Sequence, residues 1–295
     1  MEKVETEITR LIDECNYDEV TRLFQNLSGG KRLRAKLILK IAKEQEKAPL
    51  LAAIVELIHA ASLLHDDVID DAMTRRGVAS VNATDGSKVA VMLGDILYSK
   101  AFTELVGFDK EVAKTVAASV TALSKGEMMD VKMAESFNSD EKLYLDMLYL
   151  KTATLIEAAA ASAALLAGKD ARKYAIYGRN LGLSFQIIDD ILDITSDEAT
   201  LGKPAMNDYV EGKCTLPYIY LYHALEDEEK EKLVALHGKK ISKEETAWIL
   251  KKMQEHKTIE KSFELAQKLS KEAQEVLVDE EELVAILDTM IKRSY

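Results

Sequence analysis

The sequence predicts an all-α protein. Chain breakers are scarce, with 3 prolines and 13 glycines in 295 residues. Ala, Leu, Glu and Lys dominate, and these residues lose little side-chain freedom in a helix. No alternating β-branched run bounded by turn residues occurs anywhere in the chain. With 47% hydrophobic residues the chain can bury a substantial core.

Helical periodicity sets the elements in order. Apolar residues recur at three- and four-residue spacing over 2–24, and SGG at 28–30 ends that run. The pattern resumes over 31–46 and 48–71, and RRG followed by TDG separates it from 87–106. Helices follow over 110–134, 140–167 and 170–195, with AGKD at 167–170 between the last two. Shorter ones cover 215–236, 241–254, 256–276 and 280–293, with HGKK at 237–240 as punctuation. Stretches 50–64, 153–167 and 181–192 are apolar almost all round, as expected of helices inside a bundle. The charged N-terminal and C-terminal helices read as their sheath. No linker and no repeat divides the chain, so the expectation is one domain over 1–295, a large helical bundle around a central cavity. The longest non-periodic stretch, TSDEATLGKPAMNDYVEGK at 195–213, is long enough to suggest function.

Composition narrows the function classes. A formal charge of −12 argues against nucleic acid as a partner, since phosphate binders usually show a basic face. Cys15 and Cys214 lie too far apart in sequence to suggest a zinc site or a disulfide scaffold, and reduced cytoplasmic thiols are expected. The N-terminus MEKVETEITRLIDE lacks the apolar core of a signal peptide. Glu56, His59 and Glu157 interrupt the longest apolar runs, so no transmembrane segment is expected. Peripheral contact with a membrane surface stays compatible with this pattern.

Two clusters carry the chemistry. In LLHDDVIDDAMTRRG at 63–77, Asp66 and Asp70 stand four residues apart and share one helix face, while Asp67 points about 100° away. Like charges at that spacing repel, and acids are disfavoured at a helix C-terminus, so a hard cation would relieve both penalties. FQIIDDILD at 185–193 repeats the pattern with Asp189, Asp190 and Asp193 on another apolar helix. Buried carboxylates are costly unless paired or metal-bound, and two such clusters can face each other across a cavity. Carboxylate oxygens suit Mg²⁺, which commonly bridges protein acids to substrate phosphates. Cations that could meet phosphate lie nearby in sequence: Lys31 and Arg34 in GGKRLR, expected in the first turn of a helix, and Arg75 and Arg76 in an expected loop. Lys151 precedes Thr152 in LKTATLIE, and Lys203 and Lys213 follow the second cluster.

Taken together, GGKRLR, DDVIDDAMTRRG, KTA, FQIIDDILD and GKPAMNDYVEGK resemble, in order and spacing, the motifs of the trans-polyprenyl diphosphate synthases. The resemblance covers nearly the whole chain and implies the all-α isoprenoid synthase fold. It implies Mg²⁺-dependent head-to-tail condensation of isopentenyl diphosphate with an allylic diphosphate, three Mg²⁺ ions with the bound diphosphate, and a homodimer. By the same resemblance Asp66, Asp70 and Asp189 are metal ligands, supported by Asp67, Asp190 and Asp193. Lys31, Arg34, His59 and Arg76 match the isopentenyl diphosphate site, and Arg75, Lys151 and Lys203 match the allylic diphosphate site. Thr152 and Gln186 match polar groups beside the developing allylic cation, and Lys213 matches a loop lysine that closes over the diphosphate. Lys151, Thr152, Gln186 and Lys203 would thus act closest to the reacting atoms. The departing diphosphate is the implied base, so no catalytic histidine is required. A competing reading leaves His59 as a plain core histidine. Many relatives carry another acid shortly before the arginine pair, where this chain has Met73; no implied ligand is lost.

Product length is read from the turn below Asp66. Ser62 and Ala61, four and five residues upstream, are small, whereas bulky aromatics there, or a two-residue insertion in the motif, stop growth early in the family. The expectation is a long-chain product from heptaprenyl to decaprenyl, octaprenyl foremost. Ile54, Ile58, Met129 and Met133 are candidates for the floor, though plain core is the ordinary role of such residues. Geranylgeranyl or farnesyl synthesis is the alternative. A terpene cyclase shares the first motif, but its second is Asn/Asp-rich. A di-iron bundle needs two Glu-x-x-His pairs, and only Glu56 with His59 forms one. A non-catalytic subunit of a heteromeric synthase should have lost aspartates or cations, and both sets are intact here.

Overall fold

Leu51 to Ile58 is a run of eight residues with every side chain buried, as in a helix sheathed on all sides. In the computed structural model this run lies in helix α4, Ala48–Ile69. The structure describes residues 1–27, 30–75, 77–195 and 206–291. It resolves into two units, one formed by Met1–Leu123 and Leu155–Gly178, the other by Ser124–Thr154 and Arg179–Tyr295.

In the first unit α4 packs against α1 (Glu2–Asp13), α3 (Leu33–Ala42) and α6 (Ser87–Leu105), with α2 (Asp18–Gln25) against α1. At Gly94 of α6 an added Cβ would come within 2.4 Å of His65 Nε2 and 3.3 Å of the Ala61 carbonyl, so the two helices approach closely there. Among the described residues α4 is also the one helix long and apolar enough to cross a membrane, and most of that apolar window is buried within the protein. A short hairpin follows it, β1 (Thr74–Arg75) paired antiparallel with β2 (Val78–Ala79), and then α5 (Val81–Thr84). Gly77, at φ +78°, supplies the left-handed backbone this tight connection needs.

In the second unit α12 (Leu216–Ala224) packs on α14 (Lys243–His256), α15 (Thr258–Val276) and α8 (Glu141–Leu148), and α16 (Glu281–Ile291) packs on α15. Tyr209, on the single turn α11 (Asn207–Val210), stacks on Tyr218 with ring centroids 4.1 Å apart and donates its hydroxyl to the Leu233 carbonyl of α13 (Asp227–Leu236). The unit boundaries fall within α7 (Lys110–Ala134) and α10 (Ala171–Thr195), and beside the start of α9 (Thr154–Leu166).

The all-α expectation holds apart from the four-residue hairpin. Periodicity alone merged elements that backbone geometry separates. The expected helix over 2–24 breaks between α1 and α2, where Asn16 takes φ +50°. The one over 215–236 breaks at Leu225 and Glu226, which are extended. The one over 140–167 is interrupted by a π-helical turn, Tyr149–Ala153, between α8 and α9. The helix expected from 31 begins at Leu33, because Arg32 adopts φ +51°, ψ 41°.

The π turn is met by α7 at Gly126. A Cβ there would lie 2.3 Å from Lys151 N and 2.6 Å from Leu150 C, both backbone atoms that cannot step aside. Gly126→Ala gains helix propensity of about 1 kcal/mol but overpacks this crossing by about 3 kcal/mol or more. Its melting temperature should therefore fall by several degrees in thermal circular dichroism; an unchanged or higher value contradicts the contact.

Candidate active site

The end of α4 carries the first cluster. Asp70 caps the helix and its amide donates to the Asp66 carbonyl at 2.8 Å, so the helical register runs through both aspartates and sets their carboxylates one turn apart. Asp70 is exposed and Asp66 half-buried. Asp67 faces inward and is buried, where its Oδ1 accepts from Arg75 Nε at 2.7 Å. Burial pushes the Asp67 carboxyl above its ordinary range, and the charge and hydrogen bond of Arg75 pull it back. Arg75 thus sits in β1 rather than in a loop, beside a cavity of about 60 Å³ also lined by Leu63, Leu64 and Ser80.

The second cluster lies near the end of α10, and the same sorting recurs there. Asp189 is exposed, whereas Asp190 and Asp193 are buried. Asp190 accepts from the Tyr144 hydroxyl through Oδ2 and from Gln186 Nε2 through Oδ1 at 3.0 Å. Burial, with the nearby charge of Asp208 next, pushes the Asp190 carboxyl well up, while both hydrogen bonds oppose that shift. Burial and the adjacent Asp190 drive the Tyr144 phenol far above its ordinary value, so it remains a donor. Asp193 Oδ2 accepts from the Asp208 amide at 3.1 Å and its carbonyl accepts from Met206 N at 2.9 Å, which ties the start of α11 back to α10.

The π turn presents Lys151 and Thr152. One inserted residue rotates the rest of the helix by about 100°, and such insertions often mark functional positions. Lys151 Nζ is 2.5 Å from Asp130 and 2.9 Å from Glu127, two α7 carboxylates around one ammonium. Thr152 Oγ donates to Gln186 Oε1 at 3.1 Å. Lys151, Thr152, Gln186, Asp190, Lys213 and Met133 all line one cavity of about 140 Å³ within the second unit. Lys213 Nζ lies 3.1 Å from Glu211.

The remaining expected residues have these places. Arg34 is in the first turn of α3 and half-buried, and Lys31, exposed, precedes the helix by one residue from its cap. His59 is half-buried on α4, and its carbonyl accepts from Ser62 Oγ at 2.9 Å, which turns that hydroxyl back onto the helix. Ala61, Ile54 and Ile58 are fully buried in the first unit; Met129 and Met133 are half-buried on α7 in the second. Arg76 and Lys203 lie outside the described residues.

Two features escaped sequence reasoning. Glu56, 4% exposed, accepts from Ala35 N at 3.0 Å and faces Arg32 Nη1 at 3.4 Å. The first turn of α3 is therefore capped by a carboxylate from α4, with no local side-chain cap. In sequence Glu56 shows as a charge interrupting an apolar run and as half of a Glu-x-x-His pair, neither of which points to α3. Tyr144 gives no sequence signal, because its partner Asp190 lies 46 positions away.

No three His, Cys, Asp or Glu side chains converge into a metal-binding group among the described residues. Asp66 is half-buried and Asp70 exposed at the end of α4, and Asp189 is exposed on α10; carboxylate oxygens of this kind fit a hard divalent cation that completes its shell with water and phosphate.

The profile of the polyprenyl synthetase family matches residues 18–256. The chain belongs to the polyprenyl synthetase family, and it is a trans-prenyltransferase with the isoprenoid synthase fold. The crystal structure of octaprenyl pyrophosphate synthase from Helicobacter pylori is similar with a TM-score of 0.91 at 42% identity, covering 99% of this chain and 96% of that one. Geranylgeranyl diphosphate synthase of Sulfolobus acidocaldarius is 38% identical over 266 residues, 83% of this chain and 79% of that protein. Octaprenyl diphosphate synthase of Escherichia coli is 36% identical over 222 residues, 72% of this chain and 67% of that protein.

The Glu56 clamp has a measurable consequence. Glu56→Ala removes the acceptor of a buried amide and a partner of Arg32, and should cost about 3 kcal/mol in urea unfolding. Glu56→Gln should cost less, since the amide oxygen still accepts from Ala35. Equal midpoints for wild type and Glu56→Ala contradict the clamp.

Proposed function

We propose that this prenyltransferase joins isopentenyl diphosphate to an allylic diphosphate, farnesyl or geranylgeranyl, in an all-trans, Mg²⁺-dependent head-to-tail condensation. The observation that carries the reading is the sorting of the aspartates by burial: Asp67, Asp190 and Asp193 are buried, whereas Asp66 is half-buried and Asp70 and Asp189 are exposed, within reach of a ligand. The latter three are the residues that would hold Mg²⁺, which when bound neutralises the allylic diphosphate and stabilises the charge it gains on leaving.

The chain's own residues do the rest. Lys31 and Arg34, with His59 and Arg76, hold the diphosphate of isopentenyl diphosphate; charge-assisted bonds from Arg and Lys suit that group. Arg75, Lys151, Lys203 and Lys213 hold the allylic diphosphate. Thr152 has its proton committed to Gln186, so its hydroxyl offers only lone pairs to other neighbours. Its oxygen and the Gln186 carbonyl then stabilise the allylic cation as the carbon–oxygen bond breaks. The double bond of isopentenyl diphosphate attacks that cation, and the proton released from the adduct passes to the departing diphosphate.

For product length we infer an octaprenyl-class chain. Support comes from the small side chains of Ala61 and Ser62 below Asp66 and from the 42% identity to the Helicobacter pylori octaprenyl enzyme. Geranylgeranyl synthesis is the second reading, favoured by the Sulfolobus acidocaldarius relative. The protein works as a homodimer in the cytoplasm, with its two thiols free, and its product passes to a membrane surface.

Purified protein with Mg²⁺, farnesyl diphosphate and excess isopentenyl diphosphate should yield products longer than geranylgeranyl on reversed-phase chromatography. Growth halted at geranylgeranyl favours the second reading. Asp66→Ala and Asp189→Ala should each lose turnover by at least about a thousandfold while keeping the helical circular dichroism spectrum. Retained activity in either variant overturns the metal assignment.

A further inference from the structure

We propose that Tyr144 is a positioning residue for the condensation: through Asp190 it fixes the orientation of the Gln186 side chain, and with it the hydroxyl of Thr152. The inference rests on the assignment of Thr152 and Gln186 to the allylic cation. It adds a residue from α8 that touches neither substrate nor cation.

With Asp190 ionised, the chain of contacts admits one orientation of the Gln186 amide. Tyr144 is 2% exposed and donates to Asp190 Oδ2. The opposite oxygen, Oδ1, accepts from Gln186 Nε2 at 3.0 Å. With its NH₂ engaged, the Gln186 amide turns its carbonyl oxygen to Thr152, whose hydroxyl donates to it at 3.1 Å. An amide flipped by 180° would set its oxygen against the Asp190 carboxylate and its NH₂ against the cation, so the flipped state opposes the reaction twice. Asp190 prevents the flip only while its own plane is fixed, and Tyr144 holds the carboxylate oxygen that Gln186 does not. A phenylalanine would fill the same apolar space, so packing alone does not account for the hydroxyl.

Tyr218 provides an internal contrast. It is fully buried in the same unit, and its hydroxyl has no hydrogen-bond partner among the described residues. Removing its oxygen perturbs the core comparably without touching the Asp190–Gln186–Thr152 chain.

The test compares Tyr144→Phe, Tyr218→Phe, Gln186→Ala and the Tyr144→Phe/Gln186→Ala double variant. Steady-state rates are measured with Mg²⁺, farnesyl diphosphate and isopentenyl diphosphate. Tyr144→Phe should lower kcat about tenfold with both KM values within about twofold, since orientation of an already bound substrate pocket is what changes. Tyr218→Phe should leave kcat within about twofold of wild type. In the Gln186→Ala background Tyr144→Phe should cost nothing further, because the group it orients is gone. A parallel NMR measurement tracks the Gln186 side-chain amide protons, assigned by their disappearance in Gln186→Ala. They should exchange slowly in wild type and in Tyr218→Phe, and faster and at shifted positions in Tyr144→Phe. Unaltered Gln186 amide signals in Tyr144→Phe, or a kcat loss that persists in full when Gln186 is already alanine, overturn the proposal. If wild type fails to turn over these diphosphates, the functional reading fails, and the amide signals alone decide whether Tyr144 orients Gln186.

Discussion

A carboxylate on an apolar helix must find a donor, a cation or water, and that requirement organises both halves of this protein. Burying an ionised acid without compensation is too costly for the helix carrying it to form part of a core. Six aspartates on α4 and α10 meet the constraint in two ways. Asp67, Asp190 and Asp193 are buried and accept hydrogen bonds from Arg75, from Tyr144 with Gln186, and from the Asp208 amide. Asp70 and Asp189 are exposed and Asp66 is half-buried, where a polyvalent ligand can reach them. On the proposed function the buried acids serve the architecture and the more exposed acids the chemistry, although the two sets alternate within a few residues of sequence.

The inward set also reaches beyond its own helix. Asp67 holds Arg75 and so fixes the hairpin that follows α4. Asp193 anchors the turn that leads to Lys213, and Asp190 joins α8 to the polar face of α10. Glu56 does the same for the first turn of α3, where Arg34 sits, even though Arg32 must adopt a left-handed backbone to begin the helix. Cations proposed to hold diphosphate are thereby placed by buried acids rather than by local loop sequence. Lys151 shows the principle most directly, held between Asp130 and Glu127 at the π turn.

Helical periodicity made the fold class and most of the elements legible, because a 3.6-residue repeat over long runs has few alternative readings. Positions where it misled share one cause. Asn16 and Arg32 in left-handed conformations, and the π turn at Tyr149–Ala153, change the backbone without disturbing the hydrophobic pattern. The aspartate pairs were legible because four acids in six residues on an apolar helix demand explanation. Glu56 and Tyr144 were not, since the meaning of each lies in a partner distant in sequence: the Ala35 amide for one and Asp190 for the other. A buried polar network carries no local signature.

The division between inward and outward aspartates is open to one direct measurement: thermal melts of wild type, Asp66→Asn/Asp70→Asn and Asp67→Asn, each with and without MgCl₂ plus inorganic diphosphate. A ligand that binds only the folded state raises its melting temperature. Wild type should gain several degrees from the two ligands together. The Asp66/Asp70 variant should lose the gain, whereas Asp67→Asn should melt lower from the start. A full ligand-induced gain in the Asp66/Asp70 variant, or an unliganded melting temperature for Asp67→Asn equal to wild type, contradicts the division.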